Sequence, residues 1–146
     1  MKIAIASDHA GFEMKEKLKK MIPKLQFIDF GPEDPDPMDY PDTGFKAATA
    51  VAQGECEKGI LICGSGIGMS ITANKVPGIR AALCQTQQFA ELSRLHNDAN
   101  ILVLSGRFIS EYLAKDIIKV WLKTDFAGGR HSRRVNKILK FEKENL

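Results

Sequence analysis

The segment from Gly59 to Ser70 contains the residue types that could carry out proton transfer. It opens with an apolar run without polar alternation, which favours a strand buried on both faces of a parallel sheet, and Cys63 stands where that strand should end. Three glycines follow at every second position, Gly64, Gly66 and Gly68, and allow a tight turn that points backbone N–H groups inward at a helix N-terminus. Such a turn attracts developing negative charge and is expected to ease ionisation of a neighbouring thiol. The pattern predicts a nucleophile or general base beside an oxyanion cradle.

A plainer interpretation of the same segment is that Cys63 closes a packed strand and that the glycines form an ordinary turn. Two phosphate-binding motifs do not fit. A Walker loop needs Gly-Lys followed by Ser or Thr, a tripeptide that the chain lacks. A dinucleotide fingerprint needs Gly-x-Gly-x-x-Gly after the first strand, whereas these glycines recur at every second residue and follow the third predicted strand.

The composition limits the class of protein. A length of 146 residues is typical of one domain that buries a core without cross-links. Cys56, Cys63 and Cys84 form no C-x-x-C pair, so neither a zinc site nor a disulfide framework is indicated, and a reducing cytoplasm is the expected setting. A net charge of +3, with the basic C-terminal segment interrupted by Glu142 and Glu144, does not favour nucleic acid. The N-terminus lacks the apolar stretch of a signal peptide or membrane span, so we expect a soluble protein without a membrane partner.

Apolar runs alternate with amphipathic segments along the chain, which is typical of βα units around a parallel sheet. The predicted strands are Lys2 to Ser7, Leu25 to Phe30, Gly59 to Cys63, Ile79 to Leu83 and Asn100 to Leu104. The predicted helices are Gly11 to Ile22, a helix capped by Asp42 or Thr43 and ending near Gln53, Gly66 to Lys75, Gln87 to Leu95, Ser110 to Leu122 and a last basic helix from Ser132 to about Lys143. The loop from Gly31 to Pro41 is rich in Pro and Asp, and its length makes it a candidate for lining a site or acting as a lid.

Ligands of open parallel sheets gather beyond the carboxyl ends of the strands, where neighbouring connections diverge. Asp8 and His9 follow the first predicted strand, and Cys63 ends the third. If these two strands are neighbours, the three side chains share one cleft. The alternative is that Asp8 caps the first helix and that His9 is a solvated residue at its start.

His96 precedes the fifth predicted strand, so it should lie at the opposite edge of the sheet from Cys63. A strand of five residues spans about 16 Å, which puts His96 out of reach of Cys63 in its own chain but within reach of the cleft of a second copy. The ordinary explanation for this histidine is a turn residue with no special role.

Arginines near the C-terminus could hold an anion. Arg130 and Arg134 are four residues apart and therefore lie on one face at a helix start, where two guanidinium groups suit a phosphate or carboxylate. Arg107, just after the fifth predicted strand, is a third candidate cation. A solvated terminal helix is the alternative explanation for the charged tail.

Several separated motifs in fixed order resemble the type B ribose-5-phosphate isomerases, a family that also contains galactose-6-phosphate isomerase subunits and enzymes acting on allose 6-phosphate. The resemblance runs nearly end to end. The motifs that carry it are Ser7-Asp8-His9-Ala10-Gly11, Asp39-Tyr40-Pro41, Ile62-Cys63-Gly64-Ser65-Gly66-Ile67-Gly68, Ala73-Asn74-Lys75, Gly78-Ile79-Arg80-Ala81, His96-Asn97-Asp98-Ala99-Asn100 and Gly128-Gly129-Arg130-His131.

The resemblance implies an α/β fold, a Rossmann-like three-layer sandwich with a five-stranded parallel sheet, formed by a single domain over residues 1–146 with a C-terminal basic helix at about 130–146. It implies interconversion of ribose 5-phosphate and ribulose 5-phosphate without a metal or other cofactor, in a homodimer or dimer of dimers that shares its active site. It also implies that Cys63 is the base that moves a proton between C2 and C1 through a cis-enediolate, that Ser65 and the backbone amides from Gly64 to Gly68 hold the enediolate oxygens, and that His96 assists sugar-ring opening. The substrate-binding residues implied are Asp8, His9, Tyr40, Gly64, Gly66, Ile67, Gly68, Asn97, Arg107, Arg130 and Arg134.

Two departures and two alternatives accompany the resemblance. Many family members have Thr where this chain has Ser65, and both residues carry a hydroxyl. Some family members lack the cysteine and use a glutamate where this chain has Met69, so the residues here favour Cys63 as the base.

A hexose 6-phosphate, either allose 6-phosphate or galactose 6-phosphate, is an alternative substrate. A non-catalytic sugar-phosphate-binding protein is the other alternative, although such a protein needs neither Cys63 nor His96.

Overall fold

The computed structural model describes residues 1–146 and contains five strands and six helices. In chain order they are β1 (Lys2–Ser7), α1 (Phe12–Met21), β2 (Gln26–Asp29), α2 (Tyr40–Ala52), β3 (Lys58–Cys63), α3 (Ile67–Asn74), β4 (Ala81–Leu83), α4 (Gln87–Asn97), β5 (Ile101–Ser105), α5 (Glu111–Lys123) and α6 (Arg130–Asn145). All five predicted strands and all six predicted helices are present. None of the helices is both long enough and apolar enough to cross a membrane.

The strands form one parallel sheet in the order β2-β1-β3-β5-β4. Its central strands β1, β3 and β5 are almost wholly buried, as the absence of polar alternation in their sequences predicts. One apolar cluster, which includes the fully buried Trp121, packs α1 and α5 against one face, and a second packs α2 and α3 against the other face. The predicted three-layer α/β architecture is confirmed.

The strand order reverses between β1 and β3, and this reversal positions the site. From β1 the chain moves outward to β2, whereas from β3 it moves to the other side of the sheet. The loops after the two strands therefore diverge and leave a crevice at their carboxyl ends. Ser7 pairs with Ile62 and Cys63 with Ser105, so the ends of β1, β3 and β5 lie side by side.

Helix α2 begins earlier than predicted. Its first residue is Tyr40, Asp39 stands at the cap without a side-chain hydrogen bond, and Pro41 lies in the first turn, where its fixed φ and missing N–H are tolerated. Asp42 and Thr43 are therefore not caps, and that prediction is wrong. The Thr43 hydroxyl instead donates to the Ser7 carbonyl at 2.6 Å and joins α2 to the end of β1.

The ends of two other helices also differ from prediction. Helix α4 continues through Asn97, so His96 lies in its last turn and not in a loop. Helix α6 begins at Arg130, directly after the positive-φ pair Gly128 and Gly129, two residues before the start predicted from the residues and in agreement with the bounds of about 130–146 given with the resemblance. Both elements keep the predicted order and type.

A buried lysine fixes the loop between β2 and α2. The Lys15 side chain is fully buried, and its Nζ donates to both carboxylate oxygens of Asp29 at 2.9 Å and to the Pro32 carbonyl at 2.7 Å. The Gly31 N–H also donates to Asp29. Burial alone would raise the pKa of Asp29, but hydrogen bonds from Lys19, Lys15 and Gly31 outweigh it and lower the pKa. The start of the loop is thus held by a charged network.

Candidate active site

A cavity of about 520 Å³ opens at the carboxyl ends of β1 and β3. The structure brings together nine of the predicted site residues in its wall and adds two apolar ones. The lining residues are Asp8, His9, Ala10, Tyr40, Cys63, Gly64, Ser65, Ile67, Gly68, Ile71 and Arg107. Asp8, His9 and Cys63 line the same cavity, which confirms the prediction that they share one cleft.

The backbone of the loop after β3 is oriented by hydrogen bonds to the end of β5. Three successive carbonyls, those of residues 63–65, accept from segment 105–107. The donors are the Gly106 N–H to Cys63 at 2.8 Å, the Arg107 N–H to Gly64 at 3.0 Å, and the Ser105 hydroxyl to Ser65. In a trans peptide the N–H points opposite to the preceding carbonyl, so the N–H groups of residues 64–66 are turned away from β5. None of these three donates to an acceptor within the chain.

The first turn of α3 extends this set of donors. Gly66 stands at its cap with φ +86°, and a Cβ there would lie 2.5 Å from the Leu83 Cδ1, so both conformation and space require glycine. Gly66 is buried and does not line the cavity wall. The Ser65 hydroxyl oxygen accepts the Ile67 N–H at 3.1 Å, which leaves the hydroxyl proton free to donate. These residues form a cradle of donors for an anionic oxygen.

Cys63 is only 5% exposed, yet its residue forms part of the cavity wall. Its neighbours in the core are the apolar residues of the α2 and α3 face. The plainer sequence interpretation, a cysteine that merely closes a packed strand, fits the burial but not the cavity. Cys63 therefore borders the space that a small molecule in the cleft would occupy, beside the donor groups of residues 64–66.

Asp8 and His9 are held by different parts of the chain. Asp8 is buried, and its Oδ1 accepts the Gly11 N–H at 3.0 Å, so it closes the turn that leads into α1 and forms part of the cavity wall. Gly11 itself stands at the cap of α1, which has no side-chain cap hydrogen bond, so the alternative that Asp8 caps this helix is wrong. His9 is exposed, and its Nδ1 lies 3.1 Å from both the N and the O of Met38. Either tautomer therefore has a partner in loop 31–39, and Nε2 has none in the chain. The loop lines the site indirectly, through Met38.

Two close contacts shape the mouth of the cavity. A Cβ on Gly68 would lie 2.6 Å from the Tyr40 Cζ, so the tyrosine ring lies directly against the first turn of α3. A Cβ on Gly64 would lie 3.4 Å from the Arg107 Nη1, which places that guanidinium group beside the loop. An aromatic ring and a cation therefore face the opening where a phosphorylated sugar would enter.

His96, Asn97, Arg130 and Arg134 lie outside this cavity. His96 and Asn97 lie in the last turn of α4, before the amino end of β5, and Arg130 and Arg134 lie in the first two turns of α6. The His96 and His131 rings stack with centroids 4.2 Å apart and planes 12° apart. The expectation that His96 cannot join Cys63 within one chain is therefore confirmed. Arg130 and Arg134 are both exposed in the first two turns of α6.

A second cavity, of about 560 Å³, lies beside the β2 to α2 loop and is lined by Asp29, Phe30, Gly31, Pro32, Glu33, Thr43 and Lys46. Its Asp29 carboxylate is already bound by Lys15, Lys19 and the Gly31 N–H. Its lining contains neither cysteine nor histidine. The chemistry of the molecule is concentrated in the Cys63 cavity.

The family model described as Ribose/Galactose Isomerase matches residues 3–138. The chain belongs to this isomerase family. A putative sugar phosphate isomerase of Bacillus subtilis is 49% identical over 149 residues, which cover 100% of both chains. The ribose-5-phosphate isomerase B of Clostridium thermocellum is 51% identical, with a TM-score of 0.97 and 100% of both chains covered. A structure of the Mycoplasma genitalium enzyme with bound ribulose 5-phosphate is 41% identical, with a TM-score of 0.93, and covers 99% of this chain and 98% of that one.

Three contacts of this ribose/galactose isomerase family member could not be derived from sequence motifs alone. They are the Ser105 hydrogen bond to Ser65, the Tyr40 ring against Gly68, and the stacking of His131 on His96. The sequence gives a weak signal for the Ser105 contact. Ser105 is a polar residue at the carboxyl end of an otherwise apolar strand, and ligands of parallel sheets bind at that end of the strands. For His131, the sequence offers only its place in a Gly-Gly-Arg-His motif.

Proposed function

We propose that this chain is an aldose–ketose isomerase that interconverts ribose 5-phosphate and ribulose 5-phosphate. The observation that carries the proposal is the position of Cys63 in a cavity beside unpartnered backbone N–H groups. Relatives that are 51% and 41% identical over nearly the whole chain are named ribose-5-phosphate isomerase B, and the second was solved with bound ribulose 5-phosphate. Both support the pentose phosphate over a hexose phosphate.

In this reaction Cys63, as thiolate, removes the proton from C2 of the open-chain aldose. The electron pair of that bond moves to form the C1–C2 double bond, and the carbonyl electrons move onto O1, which gives a cis-enediolate. The same thiol then delivers a proton to C1, while a proton passes from O2 to O1 and leaves the ketone at C2. Negative charge on the enediolate oxygens is the main barrier, and preorganised N–H donors of the cradle lower it.

The remaining polar groups of the cleft bind the substrate. The Ser65 hydroxyl and the unpartnered N–H groups of residues 64–66 and 68 donate to the enediolate oxygens, while the Ile67 N–H holds the Ser65 hydroxyl oxygen. Asp8 and His9 bind sugar hydroxyls from the end of β1, and Tyr40 bounds the pocket. Arg107 supplies positive charge for the phosphate.

We further propose that a second copy of the chain completes each cleft with His96, Asn97, Arg130 and Arg134. These residues cannot reach Cys63 within one chain, and a two-fold dimer delivers the same surface to both sites. Apolar residues are available for such an interface, since Ile67 and Ile71 are exposed at the cavity and Ile138 and Phe141 are exposed on α6. In that arrangement His96 assists ring opening, and the arginines hold the phosphate.

The function is tested by assaying the purified protein on ribose 5-phosphate, allose 6-phosphate and galactose 6-phosphate, with C63A as the test variant and C56A as the control. Cys56 is also buried but lies far from the cleft, before β3. We expect turnover of the pentose phosphate, loss of turnover with retained binding in C63A, and little change in C56A. Turnover of a hexose phosphate alone would overturn the substrate, binding without any turnover would favour a binding protein, and an active C63A would exclude Cys63 as the base.

The shared site is tested by mixing C63A and H96A protomers under conditions that exchange subunits. A mixed dimer contains one cleft with neither substitution, so an equimolar mixture should regain about a quarter of the wild-type activity. Exchange is verified by native mass spectrometry of differently tagged protomers. Mixed dimers without activity would show that the site is not shared.

A further inference from the structure

His131 has no role in the mechanism above, yet its side chain has a defined position. Its ring lies parallel to that of His96, with the centroids 4.2 Å apart and 12° between the planes. It is 9% exposed and lies among the few residues of α6 that are buried. His96 itself is only partly buried, in the last turn of α4. A flat, fixed surface therefore covers one face of the His96 imidazole.

The backbone holds the two rings together through two hydrogen bonds. The Ala127 N–H donates to the Leu95 carbonyl at 3.1 Å, which ties the chain before α6 to the end of α4. The His131 N–H donates to the Gly128 carbonyl at 3.1 Å, which closes the turn that starts α6. Gly128 and Gly129 both have positive φ, and this conformation directs α6 back over α4. The stacking thus follows from how the two helix ends are joined.

The surroundings of His131 disfavour a positive charge on its imidazole. Burial lowers the pKa of its imidazole, and the neighbouring His96, Arg130 and Arg134 lower it further. Its place at the N-terminus of α6 also disfavours a positive charge. A neutral ring can stack on the His96 imidazole without charge repulsion.

We propose that His131 is a positioning residue that fixes the plane of the His96 imidazole for opening of the sugar ring. This inference rests on the proposed function, because it assigns His131 a part in the His96 step. In ring opening, the bond from C1 to the ring oxygen breaks, the ring oxygen gains a proton and the C1 hydroxyl loses one, which leaves the C1 aldehyde. A proton carrier must face the ring oxygen within hydrogen-bond reach, so free rotation of His96 would slow this step.

The test compares H131L with H131F. Both variants replace the imidazole by an apolar side chain that fills the buried space, but only phenylalanine keeps a flat ring against His96. With ribose 5-phosphate as substrate, we expect kcat/KM to fall about 10- to 100-fold in H131L, mainly in kcat, and to stay within a few-fold of wild type in H131F. Thermal unfolding of both variants separates this effect from a loss of stability.

The direction of the reaction gives a readout that a purely structural role would not change. Ribulose 5-phosphate cannot close a five-membered ring through its C5 oxygen, because that oxygen carries the phosphate. Starting from the ketose therefore bypasses ring opening, and the open-chain aldose can close in solution after release. We expect kcat of H131L to fall clearly more with ribose 5-phosphate than with ribulose 5-phosphate; kcat/KM falls by the same factor in both directions, because the equilibrium constant fixes the ratio of the two values. An equal loss of kcat in both directions would reduce His131 to a folding role and overturn the proposal.

Stacking itself can be measured without activity. The chain contains three histidines, so the NMR signals of the ring protons can be assigned by single substitutions at His9, His96 and His131. The ring protons of His96 should shift in H131L, which removes a ring current, and shift much less in H131F. If wild type shows no isomerisation, the proposed function fails; if wild type is active and H131L matches it in both NMR and turnover, the positioning role of His131 fails.

Discussion

The hydroxyl of Ser105 at the end of β5 donates a hydrogen bond to the carbonyl of Ser65 in the loop after β3. Ser105 is fully buried, and no other group in the chain donates to that carbonyl. Because the peptide is trans, holding the Ser65 carbonyl toward β5 holds the Gly66 N–H toward the opposite side. One buried hydroxyl thus helps to orient a donor of the proposed enediolate cradle.

Replacing Ser105 by alanine should free the Ser65–Gly66 peptide to rotate. We expect kcat to fall about 10-fold, less than the loss caused by removing an oxyanion donor outright, because the N–H remains present but is less fixed. Loss of the hydrogen bond should also cost about 1 kcal/mol of unfolding free energy. Kinetics on ribose 5-phosphate and urea unfolding measure the two effects.

Ser7 provides a matched control for Ser105. It is also fully buried and also ends a central strand, but its hydroxyl has no hydrogen-bond partner. S7A removes the same atom without breaking a contact and should leave kcat unchanged and stability equal or slightly higher. Equal kinetic losses in S7A and S105A would mean that the Ser105 hydrogen bond does not orient the loop.

The close contact between Tyr40 and Gly68 predicts that a side chain at position 68 weakens substrate binding. Because a Cβ at position 68 would overlap the tyrosine ring, G68A should displace Tyr40 from the cavity mouth. We expect a higher KM, by about 10-fold, since a displaced wall weakens substrate binding in the ground state and the transition state alike.

A double-substitution cycle separates this steric effect from a direct effect on the cradle. In Y40A the ring is absent, so adding G68A should cause little further loss, and the two changes should be strongly non-additive. Additive losses would show that the methyl group at position 68 acts on α3 itself and not through Tyr40.

Lys15 and Lys19 both donate to Asp29, but only Lys15 is fully buried and also bonds the Pro32 carbonyl. K15M should therefore lower the free energy of unfolding by about 3 kcal/mol, because it leaves a half-buried carboxylate and a loop carbonyl without their central donor. K19M removes a more exposed partner and should cost less than about 1 kcal/mol. Urea unfolding measures both variants. Similar losses of unfolding free energy in K15M and K19M would show that the burial of Lys15 does not make its contacts more stabilising.

The lowered pKa of Asp29 predicts how this contribution depends on pH. A carboxylate whose pKa is lower in the folded state stabilises the fold above its ordinary value of 3.8, and this stabilisation disappears as the pH falls through the folded-state pKa. Wild type should therefore be more stable than D29N near neutral pH, and the difference should shrink below pH about 4. A difference that stays constant down to pH 2 would exclude ionisation as its cause.

The sheet and the cleft could be predicted because each depends on local patterns. The apolar runs of β1, β3 and β5 and the glycine loop after Cys63 identify their elements directly, and the strand-order rule then places Asp8 and His9 beside Cys63. The sequence predicts the start of α2 too late, because Asp42 and Thr43 are residue types that commonly cap helices. Pro41 in the first turn, together with the bond from Thr43 to Ser7, favours the earlier start at Tyr40.

The contacts that refine the site depend on pairs far apart in the sequence. The bond between Ser105 and Ser65 requires the register that pairs Cys63 with Ser105, and the Tyr40 contact requires α2 to pack against α3. The stacking of His131 on His96 depends on the path of the chain through Gly128 and Gly129. No local residue pattern determines these relationships, since each arises only when the helices and strands have been assembled.

The three cysteines should differ sharply in reactivity, and the difference tests the cleft directly. Burial raises the pKa of Cys84 to about 11, and burial followed by the charge of Glu55 raises the pKa of Cys56. Both thiols are 1% exposed, whereas Cys63 lines a cavity. Since the thiolate is the reactive form, iodoacetamide at pH 7.5 should modify Cys63 in the native protein and leave Cys56 and Cys84 unmodified.

Peptide mass spectrometry measures this labelling, and urea-unfolded protein, in which all three thiols should react, is the control. Ribose 5-phosphate should slow the native reaction at Cys63, because a sugar phosphate bound beside residues 64–68 fills the cavity that Cys63 lines. Allose 6-phosphate, tested at the same concentration, reports whether the cleft prefers the shorter sugar. Labelling of Cys84 before Cys63, or a rate at Cys63 that no sugar phosphate changes, would mean that the cavity does not give access to the thiol.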